Sequence, residues 1–174
     1  TSGIALHKRG YRKVANLAPI RETLAAGILD IARIYPDTQL YDPFCGSGTF
    51  LIEAAYKAKN IAPGIYRRFA AEKWDSLPSK IWQTSREEAI EKIRKDIEFT
   101  AFGSDISQDS LEIAEANARR AGISGLIRLE KADVKNFTIP DRKSLVVTNP
   151  PYGERLMNGE DLTKLYQTMG NVFQ

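Results

Sequence analysis

Gln39-Leu40-Tyr41-Asp42-Pro43-Phe44-Cys45-Gly46-Ser47-Gly48-Thr49-Phe50-Leu51-Ile52 is the stretch that decides the fold. Gln39 to Tyr41 reads as a short strand. It runs directly into a turn containing two glycines, Gly46 and Gly48. Leu51, Ile52, Ala55 and Ala58 then recur at helical spacing. Strand, glycine turn and helix in that order open a βαβ unit.

The chain on either side repeats the alternation. Upstream, Pro19 is placed like the first residue of a helix. Ile20, Leu24, Ile28 and Ile31 form one apolar stripe that stops before Pro36. Downstream, residues 60–84 carry Pro63, Gly64, Trp74, Pro78 and Trp82 and read as an irregular insertion. Ser85-Arg86-Glu87-Glu88 has the form of a capping box, starting a helix with Ile90, Ile93 and Ile97. A second strand, Ala101 to Ser104, ends at Asp105. Ser107 or Asp109 caps the next helix, with Leu111, Ala114 and Ala118 inward and Gly122 as its stop. A third strand, Ile127 to Glu130, leads to Asp133. A fourth, Leu145 to Thr148, is a continuous apolar run of the kind buried on both faces. It ends at Asn149-Pro150-Pro151-Tyr152, and a last helix carries Leu162, Leu165, Met169 and Val172. Alternating strands and helices predict an α/β fold with parallel strands and helices on both faces.

Ligands of such sheets sit beyond the carboxyl ends of the strands. Three strands here deliver an acid to that edge: Asp42, Asp105 and Asp133. Gly46 and Gly48 remove side chains where a ligand must approach the backbone. The turn is neither a G-x-G-x-x-G dinucleotide fingerprint nor a Walker loop. An acid ahead of the turn repels a pyrophosphate and attracts a cation. S-adenosylmethionine carries an ammonium and a sulfonium and no phosphate, so it suits this turn better than NAD or ATP. Asp105 is placed to accept ribose hydroxyls, and Asp133 to meet an adenine amino group.

Asn149-Pro150-Pro151-Tyr152 has a chemistry of its own. An aromatic amine is a poor nucleophile because its lone pair is delocalised into the ring. Acceptors for its hydrogens draw that lone pair out, and the Asn149 side-chain carbonyl is one. The Pro150 main-chain carbonyl is a second. Two consecutive prolines make the backbone stiff. Tyr152 offers a flat face for an extruded base. No metal and no covalent intermediate is needed, so catalysis is alignment.

Composition sets bounds. The chain has 174 residues, 43% hydrophobic and 27% charged, with a net charge of +3. That is enough for one domain with a real core. No apolar run approaches the ~20 residues of a membrane span. One cysteine, Cys45, and one histidine, His7, exclude a disulfide framework and a multi-histidine or cysteine-rich metal centre. A cytoplasmic protein is the natural reading. Cys45 has no neighbouring base and reads as a small buried apolar residue. Residues 1–18 form a basic lead-in, with Lys8, Arg9, Arg12 and Lys13 and no acid before Glu22. That favours a nucleic-acid partner mildly.

These motifs resemble those of class I, Rossmann-like S-adenosylmethionine-dependent methyltransferases. Within that group the chain is similar to the THUMP-associated RNA guanine-N2 enzymes, the RlmL group that modifies 23S ribosomal RNA. Asp42 to Thr49 resembles the family's cofactor loop, and Asn149 to Tyr152 its catalytic motif. His7 to Arg12, Ala18 to Thr23 and Phe69 to Trp74 resemble further family segments, and these lead-in segments tilt the choice from DNA to RNA. The resemblance implies that residues 19–174 are a partial methyltransferase domain with insertion 60–84, truncated after its fourth strand and the following helix where the family's sheet has seven strands. It implies a THUMP domain upstream. It implies a cofactor site of Pro19, Thr23, Asp42, Pro43, Phe44, Cys45, Gly46, Ser47, Gly48, Thr49, Asp105, Ile106, Asp133, Val134 and Asn149. It gives the target base to Asn149, Pro150, Pro151 and Tyr152, and RNA phosphates to Arg9 and Arg12. The product would be S-adenosylhomocysteine. The rival readings are a DNA adenine-N6 methyltransferase, a protein-glutamine or small-molecule N-methyltransferase, and a module that only binds cofactor or RNA.

Overall fold

The computed structural model of the chain describes residues 3–12, 19–138, 144–152 and 159–173. Lys13 and Ala18 of the lead-in lie outside them. Four parallel strands, β1 (Gln39–Asp42), β2 (Thr100–Asp105), β3 (Ile127–Lys131) and β4 (Leu145–Val146), form a sheet in the order β3-β2-β1-β4. The chain steps outward from β1 to β3 and then returns to place β4 on the far side of β1. The strand order therefore reverses between β1 and β4, which makes their carboxyl ends the topological switch point where open α/β sheets bind ligands.

Helix α1 (Glu22–Ala32) precedes β1, and α2 (Thr49–Lys59) follows the glycine turn. Nine of the eleven α2 residues are buried, including all four that the sequence marks as apolar. Helix α3 (Ser79–Glu91) joins the insertion to β2, α4 (Gln108–Arg120) links β2 to β3, and α5 (Gly159–Val172) follows β4. The α2 face of the sheet is shaped by Gly103 of β2. A Cβ there would collide with Leu51 and come within 3.1 Å of the Cys45 Cβ. The opposite face carries Tyr41 stacked on Phe102, ring centroids 4.7 Å apart. Phe137 meets Tyr41 edge-on and contacts Phe173 at the end of α5. Helices thus cover both faces, as the alternation predicts.

Several expectations need correction. Helix α1 begins at Glu22, after Pro19, with Arg21 at the cap. Its inward residues are Glu22, Ala25 and Leu29, whereas Leu24 and Ile31 are exposed. The partner of α1 is α2, onto which Ala25 and Leu29 pack, while Glu22 faces Arg12. Helix α3 starts at Ser79, six residues before the capping-box serine. Phe69 stacks on Trp82 at 5.6 Å, so residues ahead of Ser85 are held in helical form by packing. The insertion is correspondingly more regular than its composition suggests, with a 3-10 turn at Ala70–Lys73. Ile93 and Ile97 lie beyond the end of α3, and Ile90 is exposed. Strand β4 is not buried on both faces. Val146 is 39% exposed, because β4 stands at the edge of the described sheet.

The lead-in is fastened to the domain by ion pairs. Arg9 donates from Nε to Glu53 Oε1 at 3.2 Å and from Nη2 to Glu53 Oε2 at 3.1 Å. The Tyr11 hydroxyl donates to Glu53 Oε1 at 2.9 Å. Burial pushes the Glu53 carboxyl above the usual range, and Arg9 pulls it back. Arg12 donates from Nη2 to the Ile20 carbonyl and to Thr49 Oγ1, and faces Glu22 at 3.7 Å. The expectation that Arg9 and Arg12 face RNA phosphates is therefore corrected. Their side chains are turned inward, 11% and 13% exposed, onto buried carboxylates.

Arg9→Ala should destabilise the fold by about 3 kcal/mol, since it strands a buried carboxylate. The Glu53 carboxyl then loses its charge partner and its folded pKa rises further above the unfolded value of about 4.3. A raised folded pKa stabilises at low pH and is lost as pH rises. The deficit, measured by denaturant unfolding, should therefore be smallest in acid and grow toward neutral pH.

Candidate functional site

At the carboxyl ends of the strands lies a cavity of about 630 Å³. The cavity takes its walls from every element that reaches the switch point. The glycine turn supplies Asp42, Pro43, Phe44, Cys45, Gly46 and Ser47, and the start of α2 supplies Thr49 and Phe50. Asp105 and Ile106 come from the end of β2, Asp133 and Val134 from the end of β3, and Asn149 and Pro151 from the end of β4.

The turn is held from two sides. Gly46 and Gly48 have positive φ, 51° and 80°, which L side chains rarely adopt. No heavy atom stands within 4 Å of where a Gly46 Cβ would be, so the absent side chain leaves open cavity. At Gly48 a Cβ would come within 3.1 Å of the Ala114 Cβ, so this glycine serves the packing of α2 on α4 and does not line the cavity. The Gly46 N–H donates to Asp105 Oδ2 at 3.0 Å, tying the turn to β2. The fully buried Asn117 side chain donates to the Ser47 carbonyl at 3.0 Å, tying it to α4.

Asp42 and Asp133 stand in opposite electrostatic environments. Asp42 is 2% exposed, and burial pushes its carboxyl up to about 7. Hydrogen bonds from Thr148 and the Phe44 amide act against that rise, and the Asp105 charge adds to it. Asp133 is held below the usual range by the Lys135 backbone and side chain. Asp105 accepts from the Ser107 amide at 2.9 Å through its other oxygen. Burial and the two neighbouring acids push the Cys45 thiol far up, which leaves no thiolate for nucleophilic chemistry.

Most of the cofactor and motif residues named from sequence line this cavity, from Pro19 to Pro151. Thr23 does not, being exposed on α1. Pro150 and Tyr152 belong to the same motif but lie off the lining, and the Tyr152 ring is 56% exposed. Sequence reasoning missed Ile20, Phe50, Ser107 and Ser110, which neighbour the recognised motifs. It also missed Lys164, Leu165 and Thr168 of α5 as cavity residues. Leu165 belongs to an apolar stripe, but nothing local says that this helix roofs the cavity.

The donor set can be tested against a ligand. Two buried or half-buried carboxylates beside an open glycine turn accept a cation and hydroxyls, and the apolar walls of Phe44, Ile106, Val134 and Leu165 accept a flat ring. The residues fit S-adenosylmethionine, with Asp42 toward its ammonium, Asp105 toward ribose and Asp133 toward adenine. Among the described residues, no group of histidine, cysteine or acidic side chains could hold a metal ion. None of the described helices is long and apolar enough to cross a membrane.

Known proteins are similar to this chain in sequence and fold. A Bacillus subtilis protein named "Putative RNA methyltransferase YpsC" is 44% identical over 174 residues, covering 100% of this chain and 45% of its own length. A Psychromonas ingrahamii protein named "Ribosomal RNA large subunit methyltransferase K/L" is 44% identical over 179 residues, covering 99% of this chain and 24% of its own length. The chain thus spans less than half of these relatives. Among solved structures, SMU.472, described as "a putative methyltransferase complexed with SAH", superposes with a TM-score of 0.93 at 40% identity, covering 99% of this chain and 45% of that one. A Listeria monocytogenes protein described as "a predicted N6-adenine-specific DNA methylase" superposes with a TM-score of 0.91 at 45% identity, covering 99% and 46%. The family model described as the RMKL-like methyltransferase domain matches residues 9–174. With the Rossmann-like sheet, the glycine turn and the Asn149 motif in place, the chain belongs to the RMKL-like methyltransferase domain family.

Proposed function

We propose that this chain is the S-adenosylmethionine-binding catalytic domain of an RNA methyltransferase acting on an exocyclic base amine, guanine N2 of 23S ribosomal RNA being the specific target. The observation that carries this reading is the meeting of Asn149 and Asp42 in one cavity at the switch point between β4 and β1. The names of the K/L and YpsC relatives support RNA as the substrate class. In this reading a THUMP domain accompanies the catalytic domain, consistent with the fraction of the relatives' length that is matched.

S-adenosylmethionine supplies the electrophilic methyl group. The chain's residues do the positioning. Asp42, Asp105 and Asp133 hold the cofactor from three strand ends. The Asn149 side-chain carbonyl accepts a hydrogen of the target amine, which localises the lone pair on nitrogen and aims it. Tyr152, exposed beside the motif, gives the extruded base a surface to stack on. The nitrogen becomes strongly acidic once methylated and returns its proton to solvent, so no side-chain base is required. Because Arg9 and Arg12 are spent on internal pairs, phosphate contacts fall to exposed cations such as Lys8.

A second reading, a DNA adenine-N6 methyltransferase, is favoured by the name given to the Listeria neighbour. The product separates the two. The protein in its natural length, given methyl-labelled S-adenosylmethionine with unmodified ribosomal RNA or unmethylated DNA, should place the label in N2-methylguanosine. Label in N6-methyladenine from DNA would replace the RNA reading and keep the role of Asn149. Asn149→Ala should leave S-adenosylhomocysteine binding, followed by calorimetry, little changed while transfer falls by about 100-fold or more, the scale expected for loss of one preorganised polar contact.

A further inference from the structure

Thr148 immediately precedes Asn149 and does not line the cavity. Its hydroxyl donates to Asp42 Oδ1 at 2.7 Å. The ladder between β4 and β1 is only two residues long, extended by a bond from the Val147 N–H to the Tyr41 carbonyl at 3.0 Å. Past that point the Thr148–Asp42 bond is what ties the two strand ends together among the described residues. One of those ends carries the cofactor acid and the other carries the Asn149 motif.

We propose that Thr148 is a positioning residue that fixes the Asn149 motif to the Asp42 carboxyl, so that the cofactor acid and the acceptor for the target amine are placed as one unit. The proposal deepens the function above and rests on it for the identity of the ligand, but the coupling between Thr148 and Asp42 does not depend on that identity.

The physical basis is that a hydroxyl hydrogen donated to a carboxylate favours its ionised form. Asp42 needs that help. It is buried, and its carboxyl stands at about 7 even with the bond in place. The groups facing it are Thr148 from the segment just past β4, the Phe44 amide and Cys45 thiol from the turn, and Asp105 from β2. Lys164 of α5 lines the same cavity. Thr148 is the one of these that also determines where Asn149 stands, since the two are adjacent in the chain. Removing its hydroxyl should therefore make Asp42 harder to ionise and loosen the motif in a single step.

Two variants separate this from a packing role. Thr148→Val keeps the shape and loses the donor, whereas Thr148→Ser keeps the donor. Three measurements apply: the carbon-13 titration of the Asp42 carboxyl without ligand, calorimetric binding of S-adenosylhomocysteine from about pH 6 to about pH 9, and methyl transfer at saturating cofactor. In Thr148→Val the Asp42 midpoint should move upward. Affinity should fall about fivefold at neutral pH and recover in alkali, as expected when a larger fraction of the carboxyl is protonated. Transfer at saturation should fall about tenfold. Thr148→Ser should restore all three. An unmoved Asp42 midpoint with superimposable affinity–pH curves overturns the proposal, as does wild-type transfer at saturation by Thr148→Val. Should the wild type bind no S-adenosylhomocysteine, the cofactor reading fails, while the Asp42 midpoints still decide the role of Thr148. Should Thr148→Val not fold, Thr148→Ala removes the same hydroxyl with a smaller side chain, and an Asp42 midpoint and affinity–pH curve unmoved from the wild type overturn the proposal.

Discussion

The burial of helix α2 is the constraint on which the rest of the structure depends. With nine of eleven residues out of solvent, this helix cannot shift without disturbing α1, α4 and the sheet together. Its N-terminus is the glycine turn, so the turn inherits that rigidity. Close packing makes such a core respond to a change of a single methyl group. Gly103 shows how little room remains, because a Cβ there would meet Leu51 and Cys45 at once. The backbone that faces the cavity is therefore fixed before any ligand arrives.

Around that helix the charged groups are paired in a way that serves geometry. Glu53 sits inside α2 with Arg9 and Tyr11 closed over it. Arg12 spans the Ile20 carbonyl, Thr49 and Glu22, linking the lead-in to the first residue of α2. Buried ion pairs seldom add much net stability, but an unpaired member is costly, so each pair enforces one arrangement of its neighbours. The lead-in is thereby made part of the catalytic domain.

What is legible in the sequence follows from how local each signal is. The strand-turn-helix at residues 39–52 carries its own geometry, since glycines with positive φ and an apolar helix can be read without a partner. The acids at strand ends and the Asn149 motif are legible because a parallel sheet brings all strand termini to one edge. The orientation of α1 is not, because Leu24 and Ile31 are as apolar as Leu29, and the packing against α2 that selects Ala25 and Leu29 is not a local signal. The start of α3 is hidden for a similar reason. A serine cap is a local preference, and the stacking of Phe69 on Trp82 overrides it from a distance. Arg9 and Arg12 mislead because a cluster of cations looks the same in sequence whether its partners are phosphates outside or carboxylates within. The roof contributed by α5 has no sequence signature, as it depends on how the chain returns from β3 to β4.

That return has a kinetic consequence. Strands β1, β2 and β3 are laid down beside one another in chain order, so the larger part of the sheet assembles from near neighbours. Strand β4 must cross the whole sheet to reach β1 and closes the longest loop. Docking of β4 completes the crevice at the switch point, so a ligand that recognises it stabilises only chains in which that strand is in place.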